Sequence, residues 1–122
     1  MEYYKIETNE IITDIEGTAQ KAYENVYGEI VKIKVVYGEC NEQTNIQIIT
    51  SEGETLDYTN NNKDFIIYPR HPTNASQFQS LDLEAGEEER YINCGNLYIQ
   101  ISEAAINENP GIIKNIIIVL RK

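Results

Sequence analysis

The side chains that could carry out chemistry are few and widely spaced along the chain. His71 is the only histidine, and it lies between prolines in a polar stretch. A catalytic Cys–His or Ser–His pair needs the imidazole close to a nucleophile, and nothing in the sequence places Ser76, Ser80 or Cys94 near it. No nucleophile-elbow, Walker A or dinucleotide-binding motif is present. We therefore predict that the protein is not an enzyme and has neither catalytic residues nor a cofactor.

Carboxylates are abundant, and the densest group is the acidic segment Glu84–Glu89. Clustered carboxylate oxygens are the ligands that a hard cation such as Ca²⁺ prefers. The spacing matches no EF-hand loop, however, and such a segment is more often a solvated turn. We predict that the chain binds no metal and keep a calcium site at this turn as the alternative.

The cysteine content and the N-terminus bear on the cellular compartment. Cys40 and Cys94 have no metal-finger spacing, and two free thiols are favoured over a disulfide for an intracellular chain. Residues 1–6 lack the basic and apolar regions of a signal peptide. No run approaches the ~18 apolar residues of a membrane span. We expect synthesis in a cytoplasm and no entry into a membrane.

The chain is strongly acidic, with 20 acidic and 10 basic residues and a net charge of -10. Phosphate groups repel such a chain, so it lacks the electrostatic footprint of a nucleic-acid binder. Lys32 and Lys34 are a basic spot on this acidic background. They are either an ordinary solvated face or a contact for an acidic neighbour.

The clearest structural pattern runs from Val26 to Thr50. The apolar residues Val31, Ile33, Val35 and Tyr37 alternate with lysines, which predicts a half-buried strand. Ile46 and Ile48 repeat the pattern around Gln47, and the polar segment between the two runs contains a glycine. The sequence therefore predicts a hairpin of two framework strands.

Turn signals recur throughout the rest of the chain, and its short runs are rich in isoleucine and tyrosine. This pattern predicts an all-β, single-domain antiparallel β-sandwich, jelly-roll or immunoglobulin-like, with about 7–9 short strands. Residues 1–25 are predicted to be an N-terminal arm or edge strands, and residues 26–122 the β-sandwich domain. The last strand is apolar on both parities from Ile116 to Leu120, so it lies centrally or meets another chain.

One stretch carries a resemblance. An Asn-rich turn at Asn60 leads into Phe65-Ile-Ile-Tyr-Pro-Arg70, after a Gly-opened strand at Gly28 and before the strand Asn96–Ser102 and a last apolar strand. The pattern over residues 26–122 resembles small all-β virion structural proteins, of the capsid decoration or minor head type, of tailed bacteriophages and related archaeal viruses.

The resemblance implies a non-enzymatic decoration or cement protein on the outside of a tailed-virus head. Its partner would be the major capsid protein, and it would assemble as a homo-oligomer, with a trimer favoured, without touching nucleic acid or membrane. The predicted location is the capsid surface of the virion, after synthesis in the host cytoplasm. The candidate interaction surface consists of Tyr68, Pro69, Arg70, His71, Ile116 and Ile118.

Two alternatives remain open at this point. A tail or neck structural protein would share most of these features. A carbohydrate-binding β-sandwich would use some of the nine tyrosines as platforms for sugars, with the acidic turn as a calcium or sugar site.

Overall fold

The computed structural model describes residues 2–72 and 88–122, and for residues 71, 72, 88 and 89 it describes the backbone alone. All regular structure in this part of the chain is β-strand, which confirms the predicted all-β class. The strands are β1 Tyr3–Glu7, β2 Ile11–Ile12, β3 Ala19–Tyr37, β4 Asn45–Ile49, β5 Thr55–Thr59, β6 Phe65–Ile67, β7 His71–Pro72, β8 Glu88–Glu89, β9 Ile92–Ser102 and β10 Ile112–Arg121.

Eight of these strands form one antiparallel sheet that curls into a half-barrel. The hydrogen-bonded order is β1-β10-β3-β9-β4-β5, while β2 adds to β10 and β6 adds to β3. The strands β7 and β8 pair with each other in a separate two-stranded sheet. The sequence also predicts a short strand at Leu81–Leu83, and this segment lies outside the described residues.

The 19-residue strand β3 connects the two parts of the sheet. Its first half pairs with β9 from Ala19 to Glu29, and its second half pairs with β10 from Glu29 to Tyr37. Alongside the second half, β6 pairs with residues 33–35 on the other edge. The strand therefore changes its principal partner near Glu29.

Bulges accompany this change of partner. The register of β3 against β9 shifts between Tyr23 and Val26, and the register against β10 skips Val31. A bulge adds one residue to one strand and increases its bend and twist. Ile33 lies on the buried face as predicted, but Val31 does not, because it is the extra residue and Ile30 takes the buried position.

Gly28 lies at the bend, inside β3 rather than at its start. Its φ is +136°, and a Cβ atom there would lie 2.6 Å from the carbonyl oxygen of Arg121. Only glycine combines this backbone conformation with such a close approach of a neighbouring strand. Gly28 therefore allows β10 to continue along β3 where β9 diverges.

The predicted hairpin between β3 and β4 is wrong, because β9 lies between them in the sheet. The connection does not turn back on β3 but passes the end of β9. The Asn41 N–H donates to the carbonyl oxygen of Ala104 at 3.1 Å, and the Gly38 N–H donates to that of Ile112 at 2.9 Å. These bonds to the segment after β9 and to the start of β10 give backbone N–H groups of the connection their partners. In a hairpin, the turn itself would supply such partners.

The core is built mainly from isoleucine on alternating positions of the central strands. β-branched side chains pack well on a pleated surface, and burying each one stabilises the fold by roughly 1.5–3 kcal/mol. Among the described residues, the large aliphatic side chains that are fully buried are Ile30, Ile33, Val35, Ile46, Ile48, Leu97, Ile99, Ile113, Ile116, Ile118 and Leu120. The central position of β10, between β1 and β3, explains its apolar sequence.

The N-terminal segment is part of the sheet. β1 pairs with β10 from Tyr3 to Glu7, and β2 pairs with it at Ile11 and Ile12. The buried hydroxyl of Thr8 accepts the Ile116 N–H at 3.0 Å, so it continues the ladder where β1 ends. The predicted boundary between residues 25 and 26 falls inside β3.

Asn93 is a buried polar residue at the same bend. Its side-chain nitrogen donates to the Val26 carbonyl at 2.8 Å, and its side-chain oxygen accepts the Ser51 N–H at 2.8 Å. The carboxamide thus joins the bulged part of β3 to the turn after β4. Buried backbone groups require such partners, since each one left unpaired costs roughly 1–3 kcal/mol.

We expect Asn93→Ala to lower the free energy of unfolding by about 2–4 kcal/mol, because it removes partners from two backbone groups. Urea denaturation followed by circular dichroism measures this loss. Asn96→Ala, at an exposed position of the same strand, is the matched control and should change stability by less than about 0.5 kcal/mol. A loss for Asn93→Ala as small as that of the control would contradict this role.

Candidate functional site

The segment after β6, which carries four residues of the predicted interaction surface, is partly accessible. Tyr68 is 60% exposed, Arg70 is also exposed, and Pro69 between them is buried. The backbone of His71 belongs to β7, opposite Glu89, and its side chain lies outside the described residues. Two adjacent side chains of the predicted interaction surface, Tyr68 and Arg70, therefore face solvent.

Ile116 and Ile118 do not lie on the surface, although the predicted interaction surface includes them. Both are fully buried, with no exposed area, and they belong to the core. Because strand side chains alternate between faces, the residues of β10 that reach the outer face are Ile117 and Val119. Both of these are half-buried.

The strands β1, β10 and β3 together form what we call the basic face, which consists of Lys5, Lys32, Lys34, Ile117 and Val119. Lys5 of β1 and Lys32 of β3 flank Val119 from opposite sides. Ile117 lies between Lys34 of β3 and Glu7 of β1. Lysine stems cover apolar surface while their ammonium groups stay in water. The basic face therefore combines an aliphatic centre with two lysines on its β3 side and the Lys5–Glu7 ion pair on its β1 side.

The basic face continues onto β6. Ile66 lies opposite Lys34 and is 52% exposed. Tyr68 follows two residues after Ile66 and is also exposed. The segment that begins at Tyr68 and the outer side of β10 thus belong to neighbouring parts of one surface.

The cationic side chains of this region differ in whether they form ion pairs. Lys5 pairs with Glu7 at 3.4 Å, while Glu29 pairs with Arg121 and, at 3.6 Å, with Arg90. Within residues 2–72 and 88–122, Lys32 and Lys34 form no ion pair. Their charges are therefore available to an acidic partner on a chain that is otherwise strongly acidic.

Of the other nucleophile candidates, Ser76 and Ser80 lie outside the described residues, and only the two cysteines can be described. Cys40 is buried and Cys94 is exposed, and both are free thiols; burial raises the pKa of Cys40. Hydrogen bonds from Thr18 lower the pKa of Asp14, whose carboxylate closes a local turn. Among the described residues, no group of three or more His, Cys, Asp or Glu side chains could hold a metal ion.

The calcium alternative falls on the segment Glu84–Glu89. Residues 84–87 lie outside the described part of the chain, and the side chains of Glu88 and Glu89 do as well. The calcium site therefore stays a hypothesis from the sequence alone.

The tyrosines divide into two groups. Tyr37 and Tyr58 pack around Phe65, with ring centroids 6.2 and 5.4 Å from it, and they belong to the core and its margin. Four tyrosines are between 39% and 60% exposed: Tyr3, Tyr27, Tyr68 and Tyr98. The exposed tyrosines are distributed over several strands and do not form one aromatic platform.

Comparisons with known proteins add no identity: no protein-family model matches the chain, and no curated protein does. In the described ranges, no helix is long and apolar enough to cross a membrane. The assignment of a function therefore depends on the surfaces themselves.

The sequence did not reveal which residues share these surfaces. It showed that the last strand is apolar on both sides, but not that Lys32 and Lys34 flank its outer side. Gln47 and Gln100 alternate with buried isoleucines in their strands, which was the available signal for an outer polar face. Only the strand order shows that Gln47 and Gln100 lie side by side.

Burial of Tyr37 predicts that the stability of the fold depends on pH. It is 5% exposed, its hydroxyl has no hydrogen-bond partner among the described residues, and burial raises its pKa to about 12. An unfolded tyrosine ionises near pH 10. The stability that the protonated Tyr37 confers is therefore present below pH 10 and is lost as the pH rises from about 10 to 12.

We expect Tyr37→Phe to lose less stability than the wild type between pH 10 and 12, and to be no less stable at pH 7. Urea denaturation at a series of pH values measures this slope. Tyr68→Phe removes an exposed hydroxyl and should keep the wild-type slope. Equal slopes for Tyr37→Phe and the wild type would contradict the effect of burial.

Proposed function

We propose that the protein is a non-enzymatic structural component of a virus particle, bound to the outside of a tailed-virus head as a decoration protein. The observation that carries the proposal is the basic face. Lys32 and Lys34, which form no ion pair among the described residues, and the aliphatic centre suit a contact with an acidic protein surface such as one on a major capsid protein. Interfaces of this kind combine an apolar centre with a polar rim.

The charge distribution supports this orientation. The net charge of -10 disfavours contact with packaged nucleic acid. The basic face offers the opposite sign locally, which steers association with an acidic partner and fixes its orientation. A decoration protein that binds an outer capsid surface through this face keeps its acidic remainder in solvent.

We propose further that the curled sheet closes into the two layers of a β-sandwich. The packing of Tyr58 in β5 against Phe65 in β6 supports this, because those strands belong to distant positions of the sheet order. A homo-oligomer, with a trimer favoured, would place the basic faces of several copies on one capsid.

The N-terminal arm is an unsuitable anchor in this proposal, because β1 and β2 are paired with β10. Removal of residues 1–16 would leave an edge of β10 unpaired. Binding to a capsid is therefore assigned to the basic face and to the adjoining Tyr68 and Arg70.

The experiment has two steps. Mass spectrometry of gradient-purified virions from the source virus should detect the chain in the particle. Purified heads that lack the protein should then bind it in a co-sedimentation assay. Absence of the chain from virions, or no binding to such heads, would contradict the proposal.

We expect Lys32→Glu/Lys34→Glu to weaken head binding at least about tenfold, since like charges at an interface cost several kcal/mol. Salt should weaken wild-type binding because it screens these contacts. The matched control, Lys21→Glu/Lys63→Glu, makes the same change of net charge at exposed positions away from this face. Equal weakening by both double variants would show that net charge alone decides binding and would contradict the assignment to the basic face.

A further inference from the structure

We propose that the outer surface of the first half of β3, β9, β4 and β5 is a binding site for a neutral oligosaccharide. We call this surface the amide face and define it by Gln20, Gln47, Gln100, Asp57 and Tyr98. The site goes beyond the role in a virus particle, and neither proposal requires the other.

The register of four strands places the polar residues of the amide face in one row. Gln20 lies opposite Gln100, Gln100 opposite Gln47, and Gln47 opposite Asp57. Neighbouring strands lie about 4.8 Å apart, so the row extends over roughly 14 Å. This length suits a chain of sugars rather than a single ring.

The next row supplies an aromatic surface. Tyr98 lies between Ala22 of β3 and Ile49 of β4 and is 39% exposed. It is two positions from Gln100 on the same strand, so both side chains share a face. The small Ala22 beside it leaves room for a ligand to approach the tyrosine ring.

Most hydrogen-bonding groups of the row are not used within the described part of the chain. Gln20 and Gln100 form no side-chain hydrogen bond there, and Gln47 donates to Asp57 at a long 3.4 Å. Each glutamine amide offers two donors and an acceptor. The row thus presents several donors and acceptors that a ligand can pair with.

The opposite sides of the same strands hold the row in place. Ile46, Ile48, Ile99 and Ile101 are at most 3% exposed and alternate with the amide positions. Sites on strands whose other face is locked in a core are more precise than sites on loops. The amide spacing is therefore fixed before any ligand arrives.

A cleft lies at one end of the row. It has a volume of about 390 Å³, and Gln20, Gln47, Gln100 and Ser102 are among its lining residues, together with Asp14 and Thr18. The volume is in the range of small-ligand sites. The Asp14 carboxylate accepts the N–H groups of Glu16 and Thr18 at 3.0 and 2.9 Å, so it forms a fixed wall of the cleft.

The chemistry of the face selects the ligand class. The three amides are uncharged, and a sugar hydroxyl is both a donor and an acceptor, so each can satisfy the other. The ring of Tyr98 offers an apolar surface for the C–H groups of a sugar. The negative charge of the whole chain disfavours nucleic acids and other polyanions.

Native gels cast with soluble neutral polysaccharides (laminarin, xylan, galactomannan and dextran) test the site, together with an array of neutral oligosaccharides. We expect at least one of these polysaccharides to retard the wild type. Gln47→Ala/Gln100→Ala and, separately, Tyr98→Ala should weaken that binding about tenfold or more, which corresponds to about 1.4 kcal/mol. Thermal melts by circular dichroism verify that each variant is folded.

Gln43→Ala, in an exposed turn outside the amide face, is the matched control and should bind like the wild type. Lys32→Glu/Lys34→Glu should also bind like the wild type. That result would show that this site is distinct from the basic face. The proposal is overturned if no polysaccharide or array glycan binds, or if folded Gln47→Ala/Gln100→Ala binds as tightly as the wild type. Self-association that Gln47→Ala/Gln100→Ala abolishes, without glycan binding, would assign the face to a second copy and would also overturn it.

Discussion

The structure depends on one strand serving two partners. β3 pairs first with β9 and then with β10, and it can do so only because its bend brings both strands alongside without a clash. Gly28 provides the space at the bend, since a side chain there would meet the carbonyl of Arg121. Asn93 provides the hydrogen bonds, since its carboxamide takes the place of a ladder partner for Val26. Gly28 and Asn93 therefore occupy this short region because the backbone must bend there while its polar groups stay paired.

Both outer surfaces follow from that strand. The second half of β3 places Lys32 and Lys34 beside the outer side of β10, which produces a pair of cations along one side of an aliphatic centre. The first half places Gln20 in line with Gln100 of β9, which produces a row of three amides that ends at Asp57. The two surfaces differ in chemistry because β3 presents Gln20 on the outer side of its first half and Lys32 and Lys34 on the outer side of its second half. One suits an acidic protein, and the other suits a neutral ligand rich in hydroxyl groups.

The sequence predicted the local structure better than the arrangement of strands. Alternation around Gln47 and Tyr98 identified strands and their buried sides correctly, because a period of two residues depends only on neighbouring positions. It could not show that β9 separates β3 from β4, because the bonds of Asn41 and Gly38 that lead the connection past β9 join residues distant in the sequence. It also misplaced Val31, since a bulge shifts the period by one residue and leaves no sign in the composition. The basic face and the amide face were beyond reach for the same reason: each is a row across strands, and a row exists only once the strand order is known.

The most direct test of this account is a set of interstrand backbone nuclear Overhauser contacts in the isotope-labelled protein. We expect contacts of β3 with β9 around Gln20 and Gln100, and with β10 around Lys34 and Ile117. Those two sets report the shared strand and also the register on which both surfaces depend. Continuous contacts between β3 and β4, as in a simple hairpin, together with the absence of contacts between β3 and β9, would contradict it.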